Sequence, residues 1–528
     1  MKYDFEQIRD EIEKEFFIAT VNDTIRNDPE MLASFTNQDQ GIKAMKIIEQ
    51  SWDGQTNQDD INKAINRISK SANKESKKES VAKRFIQTIM SNGFYGYLRL
   101  RKLIGHPLEH FTLRPYYANR LSDIPTLVNP GGQITLSEGN FVFSAACLLN
   151  KDNIWLRGLG VEATKISGTT NANTAYIKTD FSVGNLNNVR ISDLYVDATG
   201  MGDQSVQYVP VIGCNSGSST NTISHVMIDH VKVLADAQYI CPIHFGHGSP
   251  FVKDLKVFNC DVKTTGTKCY GIGCWCKGTD VWIENNKVEF PNVSENQYNP
   301  IFTYYGSENV HINSNRVLNT AGHSSIALSP ASNAEIIGNI VESPASVAGE
   351  ECGIEVEEGN GHQSSNLLTS HNVTIIGNYV YGGNDGIAMY RWDDTYSIPH
   401  DVVIANNVIV DCTIGIRLRD ADHCIVKNNI LRNNTTPLSD NSTNSIISNN
   451  IGYNPVGNFT APSMPASGVN YTNEYGYSCM VSVYGGTVSA IAIDGVNTGQ
   501  TYGAFVVAPG ETISLTYSSV PTWVWYGL

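Results

Sequence analysis

The chain lacks any stretch of about 18 apolar residues, so no membrane-spanning helix is expected. Its opening, MKYDFEQIRDEIEKEF, carries acids where a signal peptide needs a long apolar core. The expectation is a protein made in a cytosol that does not leave by the general secretory route. Positive charge is scarce: 37 Lys and Arg stand against 52 Asp and Glu, a net −15. That excess of acid repels nucleic acid and anionic membranes, and neither is expected as a partner. Cysteines number eleven, an odd count without CxxC pairs, so buried free thiols are expected rather than a disulfide framework or a zinc ribbon. Cys274 and Cys276 face one way on a strand with Trp275 opposite, and the three-residue spacing of His244 and His247 puts them on opposite faces. No metal and no cofactor is expected.

What the chain has in abundance is one repeated phrase. An aliphatic residue, two spacers, an Asn, one spacer and another aliphatic recur as IHINSNRV, AEIIGNIV, VTIIGNYV, VVIANNVI, CIVKNNIL and SIISNNIG. They place Asn315, Asn339, Asn378, Asn407, Asn429 and Asn450 at equivalent positions, spaced by 24, 39, 29, 22 and 21 residues. That is the period of a solenoid with one enlarged coil. Apolar residues alternate within each phrase, as on strands with one buried face. The Asn is expected at a corner, tolerating unusual backbone angles and bonding to the Asn of the next coil. Weaker copies run upstream: VRISDLYV, VMIDHVKV, LKVFNCDV and VWIENNKV. The reading is an all-β right-handed parallel β-helix of about eleven coils.

The onset adds a resemblance. LVNPGGQITLSEGNFVFSAACLLNKDNIWLRGLGVEATKI (Leu127 to Ile166) offers Gly131 and Gly132, the turn at Gly139, then Leu156 to Gly158, Gly160 and Thr164. This resembles the opening coils of the pectate-lyase-like superfamily, which implies the fold over roughly Ile124 to Phe459. It implies little about chemistry, because the architecture hosts lyases, hydrolases, epimerases and inert adhesins. The chain shows neither an Asp-rich calcium cluster nor an Arg-x-Pro-x-x-Arg motif like those of the pectate lyases.

The flanks read differently. Residues 1–122 hold 19 basic against 17 acidic side chains, leaving 18 against 35 for the rest. Phe5, Ile8, Ile12 and Phe16 form one helical stripe and Ile61, Ile65 and Ile68 another, so 1–122 is expected to be a helical N-terminal anchoring domain. Residues 123–458 are assigned to the β-helix and 459–528 to a small C-terminal β-sandwich. Within the latter, Phe459 to Gly476 reads as a linker, and turns at Tyr484-Gly485-Gly486, Asp494-Gly495 and Pro509-Gly510 separate short strands. The segment resembles the compact modules that follow β-helices in phage tail spikes. Its Trp523, Trp525 and Tyr526 suit interchain packing, or a sugar.

The strand after each Asn corner aligns on one aliphatic residue: Ile243, Ile272, Ile301, Ile326, Ile354, Ile387 and Ile416. If these point inward, period two sends their neighbours outward. One outward column then reads His244, Gly273, Phe302, Ala327, Glu355, Ala388, Arg417. The next reads Gly246, Trp275, Tyr304, Ser329, Glu357, Tyr390, Arg419. With coils about 4.8 Å apart, Glu355, Glu357, Tyr390, Arg417 and Arg419 should share a patch on which a polysaccharide could lie. Glu355 and Glu357 are the candidate catalytic acids with Asp393 in reserve. Trp275, Tyr304, Tyr390 and Trp392 are candidate stacking surfaces, and Arg417 and Arg419 candidate carboxylate or sugar ligands. A solubilising lattice of surface ion pairs is the plainer reading of the same charges.

Together these features predict a viral tail-spike-like protein, a homotrimer located in the virion. Its N-terminal domain would dock on a tail or capsid protein, and its solenoid would bind host-surface polysaccharide. Glycoside hydrolysis of the inverting type is favoured, since i, i+2 spacing matches the wider carboxyl separation. The alternatives are a polysaccharide lyase acting on a uronic-acid glycan and a non-catalytic receptor-binding or structural spike.

Overall fold

The computed structural model describes residues 110–113, 115 and 130–528, apart from 169–174, 180–183, 206–208, 215–220, 292–297, 320–322, 344–351, 359–368, 392–395, 454–456 and 458. The helices expected in 1–122 lie outside the described residues. One strand inside that span does not: His110–Leu113 pairs in parallel with Gln133–Leu136, so coil stacking begins before residue 123.

Three strand faces wind around one apolar core. The first face stacks Gln133–Leu136 on Ile154–Arg157 and continues through to Ile446–Ser448. The second runs from Gly139–Phe143 to Ile430–Arg432. The third begins at Cys147–Leu149 and ends at Thr436–Asp440; ten successive parallel pairings join its eleven strands. The chain therefore makes the right-handed parallel β-helix that its repeat implies. Along the third face, Ile243, Ile272, Ile301, Ile326, Ile354, Ile387 and Ile416 pair in unbroken register and are all buried. All eleven cysteines are free and buried. Burial alone pushes the Cys147 thiol up to about 12, which leaves it inert at neutral pH.

The asparagines form a continuous hydrogen-bonded ladder that reaches one coil further upstream, to Asn286. Each amide Nδ2 donates to the next Asn Oδ1 at 2.9–3.0 Å, and each backbone N–H donates to that same oxygen. The second Nδ2 proton goes to a carbonyl of the preceding coil, such as Ile336 O from Asn378. The corner's unusual backbone angle belongs to the residue before the ladder Asn. Asn285, Ser314, Gly338, Gly377, Asn406, Asn428 and Asn449 all have φ between 55° and 69°. The ladder Asn itself is free to turn inward, where its amide is satisfied on every side.

The C-terminal sandwich is antiparallel. One sheet orders Asn470–Thr472, Thr512–Ser519, Thr487–Ile493 and Val496–Asn497; the other orders Gly503–Val507, Cys479–Tyr484 and Thr522–Gly527. The segment read as a linker is part of this module. Asn470–Thr472 is one of its strands, and Phe459, Ala461 and Met464 pack on its core. Trp523 and Trp525 also belong to that core, so they are unavailable to a neighbouring chain.

Asn378→Ala strips the side-chain donor from Ile336 O, leaves Asn407 Oδ1 with only a backbone donor, and removes the acceptor of the Asn339 N–H and amide. Each buried group left unsatisfied costs about 1–3 kcal/mol. The variant should unfold well below the wild type in thermal melts at one scan rate; superimposable melts would show that the ladder contributes nothing to cohesion.

Candidate functional site: a phenol-bridged carboxyl pair

The third face carries the first predicted column in the predicted register and part of the second. His244 pairs with Gly273, then Phe302, Ala327, Glu355, Ala388 and Arg417 follow one per coil. Trp275 pairs with Tyr304, and Glu357 with Tyr390. Alternation is correct, yet exposure is not what alternation implies. Trp275 is 1% and Tyr304 5% exposed, buried with Cys241, Tyr270, Phe302 and Ala327 in a second apolar cluster. Trp275 meets Tyr304 edge-on at 4.9 Å, and the Tyr304 hydroxyl donates to Asn299 Oδ1 at 2.6 Å. Neither ring is an open stacking surface, a correction to the reading from period two alone.

Further along the same face the acids are buried as well, Glu355 to 5% and Glu357 to 2%. The Tyr390 hydroxyl sits between them, 2.5 Å from Glu355 Oε1 and 3.3 Å from Glu357 Oε2. Ser324 Oγ donates to the other Glu355 oxygen. Both Glu355 oxygens thus accept from hydroxyls, and the same phenol also contacts Glu357 Oε2. Burial and the two neighbouring carboxyls push Tyr390 well above the usual phenol range.

The two bridged oxygens lie no further apart than the sum of those contacts, 5.8 Å. That limit lies below the roughly 6.5–9.5 Å of inverting glycosidases and admits the roughly 5–5.5 Å of retaining ones. The wider spacing expected from i, i+2 strand geometry does not survive the shared phenol.

Arginine divides its roles differently from expectation. Arg417 is tied to Asp385, with Nε to Oδ2 at 2.6 Å and an NH2 bond to Oδ1 at 2.9 Å. Burial raises the Asp385 carboxyl against the pull of that guanidinium. Arg417 is therefore a structural partner on the next coil. Arg419 stays half-exposed, with its guanidinium 5.3 Å from the centre of the half-buried Tyr390 ring. Trp392 and Asp393 lie outside the described residues. The sequence reading missed Ser324, Asp385 and Glu358. Asp385 could have been sought because a buried strand start opposite an Arg column needs an anion; Ser324 carries no such signal. Among the described residues no three His, Cys, Asp or Glu side chains gather so as to hold a metal ion, and no helix is long and apolar enough to cross a membrane.

Glu358 is buried at the end of the same strand, accepting from the Ser370 backbone N–H. Burial raises its carboxyl to about 7, against that hydrogen bond. A raised acid favours folding only while protonated: stability is full below the unfolded value of about 4.3 and declines as pH rises to about 7. Glu358→Gln, which keeps an acceptor for Ser370, should stabilise the protein at pH 8 and leave it unchanged at pH 4. Thermal melts at both pH values test this, and equal shifts at the two would remove the titration from the account.

The family model of the periplasmic copper-binding protein NosD matches residues 347–474, the last coils and the entry to the sandwich. No curated relative matches the chain. Among solved structures, the A-module of a mannuronan C-5 epimerase of Azotobacter vinelandii is similar at 15% identity. It covers 64% of this chain and 94% of its own, with a TM-score of 0.41. A DFA-IIIase from Arthrobacter chlorophenolicus is similar at 12% identity, over 63% of this chain and 86% of its own, TM-score 0.40. A tailspike protein of the Acinetobacter baumannii bacteriophage Fri1, a capsular polysaccharide depolymerase, is similar at 10% identity, over 80% of this chain and 85% of its own, TM-score 0.31.

Proposed function

We infer that this chain is a polysaccharide-cleaving spike protein and that Glu355 and Glu357 are its acid pair. The observation that carries the reading is the phenol bridge: two buried carboxyls within one hydrogen-bonded network, both contacted by the Tyr390 hydroxyl. In this reading a sugar displaces the Tyr390 ring, which is the most exposed member of the trio. Glu357 protonates the glycosidic oxygen as the bond to the anomeric carbon breaks. Glu355 attacks that carbon to form a glycosyl ester. Water then cleaves the ester, returning its proton to Glu357 and freeing Glu355. Arg419, beside the tyrosine, orients the incoming chain.

Hydrolysis is favoured over a lyase reaction with tyrosine as base, because a phenol held between two carboxyls gives up its proton poorly. The wider proposal is a virion-borne homotrimer acting on host-surface polysaccharide, with the N-terminal segment docked on a tail or capsid protein. The acidic solenoid and the charge-balanced N-terminal segment support that division of labour.

Incubation with candidate host capsular polysaccharides, read by reducing ends and by absorbance near 230 nm, separates the reactions. Reducing ends without absorbance are expected. Glu355→Gln and Glu357→Gln should each lose about 100- to 10,000-fold in rate, and retained anomeric configuration should appear by NMR. Variants that cleave at the wild-type rate would move catalysis elsewhere, with Asp393 next in line. Binding without cleavage by the wild type would make the chain a lectin.

A further inference from the structure

Two coils before the acid pair, the third face slips its register. Tyr304 pairs with Ser329 and Ser307 with Ala331, so Tyr305 and Gly306 together stand opposite Pro330 alone. One extra residue has been let into the strand, a β-bulge on the side that faces the coils of Glu355 and Glu357. Both bulged residues are left-handed, Tyr305 at φ 74° and Gly306 at φ 81°.

Glycine adopts that conformation freely, whereas the Cβ of a tyrosine crowds the backbone there. Among the described residues, left-handed positions are otherwise held by Gly, Asn, Asp, His and Ser, with Tyr239 and Lys268 as the further exceptions. Those two pack on each other, Lys268 Nζ lying 5.4 Å from the centre of the Tyr239 ring. An earlier irregularity on the same face, between Phe245 and Gly248, uses Gly246 at φ 83°. The fold thus has an unstrained solution and does not use it at 305.

Packing secures this ring less than its neighbours. Trp275 and Tyr304 meet edge-on at 4.9 Å and are both buried, but Tyr305 lies 6.3 Å from Trp275 at a 45° tilt, half-exposed at the rim of that cluster. What the bulge achieves is direction, turning a second ring outward beside one that is covered. Ser329, the partner of Tyr304, stands one step beyond the Leu328 to Val356 pair and so beside Glu357. Tyr305 is therefore next to the column of Glu357 and two coils from it, about 10 Å away, with Ser329 and Pro330 on the coil between. A disaccharide bridges that gap.

We propose that Tyr305 is a sugar-binding residue of the acid-pair site, taking the apolar face of a pyranose about one disaccharide away from the bond to be cut. Strain of this kind persists where function needs the side chain, and a ring with a polar tip suits a sugar's apolar face and hydroxyl rim. Beyond the acids, Arg419 leans on the Tyr390 ring, so the glycan's path runs along the helix axis from Tyr305 past Glu357 towards Arg419. The proposal rests on the acid pair being where a glycan is held, and it adds that the substrate is a chain long enough to reach residue 305.

The test compares Tyr305→Phe, Tyr305→Ala and Tyr305→Gly in the full chain. The probes are the purified capsular polysaccharides used to assay cleavage, with fragments of graded length made from whichever of them the wild type binds. Tyr305→Ala and Tyr305→Gly should weaken polymer binding by about 10- to 100-fold, the worth of one ring contact, while Tyr305→Phe keeps most of it. In cleavage the loss should fall on KM rather than kcat and vanish for fragments too short to reach residue 305, which a general loosening of the fold would not produce. Tyr305→Gly should melt above Tyr305→Ala, because both lose the ring and only alanine keeps the strain. Nitration of the wild type, read by peptide mass, needs no variant: saturating polysaccharide should protect Tyr305 and leave Tyr502, 74% exposed on the sandwich, reacting as before. Should the Ala and Gly variants fail to fold, nitration decides. Unchanged polymer affinity in Tyr305→Gly, a Tyr305 that does not react in the free chain, or one that reacts equally under saturating polysaccharide overturns this subsite and leaves the acid pair's role standing. A wild type that binds none of the polysaccharides overturns both together.

Discussion

Everything in this molecule hangs on coil-to-coil hydrogen bonding held in one register, and the asparagine ladder is where that register is enforced most tightly. A parallel ladder of backbone bonds tolerates a slip by two residues without losing alternation. A buried amide does not, because a displaced Asn would leave two donors and an acceptor unsatisfied in an apolar interior. From Asn286 to Asn450 each coil is therefore keyed to the next. With register set, the isoleucine stack follows, and the residues beside it are delivered to the wall at fixed height.

That precision brings the candidate site together. Glu355 and Glu357 come from one strand, Tyr390 from the next coil and Ser324 from the turn that leads into the strand before. One phenolic hydroxyl contacts both acids. That bridge, more than the presence of two carboxyls, separates the site from an ordinary surface ion-pair lattice, in which each acid would face a cation. The nearby cation Arg417 is instead paired with Asp385.

The C-terminal module shows the opposite economy. Its core is closed by Trp523, Trp525 and residues of the entering segment, including Phe459 and Met464, while Tyr484, Tyr502 and Val506 are left exposed on its outside. In a solenoid the cohesive surfaces are internal and repeat along the axis.

By itself the sequence determined the β-helix, the inward isoleucine column, the register of the outward columns and the free buried thiols. All of these follow from period-two alternation and a recurring phrase, which are local properties read without knowing what lies above them. Only the tertiary structure decided exposure and partnership. Trp275 and Tyr304 alternate outward as expected and yet are buried, because Tyr270 and Phe302 from neighbouring coils close over that stretch of wall. Arg417 stands in the predicted column but belongs to Asp385. Phe459 to Gly476 has a linker's composition and packs into the sandwich. The acids were legible as an outward pair, whereas the bridge that joins them depends on where the tip of Tyr390 falls. Alternation dictates the face on which a side chain emerges; what it meets there comes from segments tens of residues away.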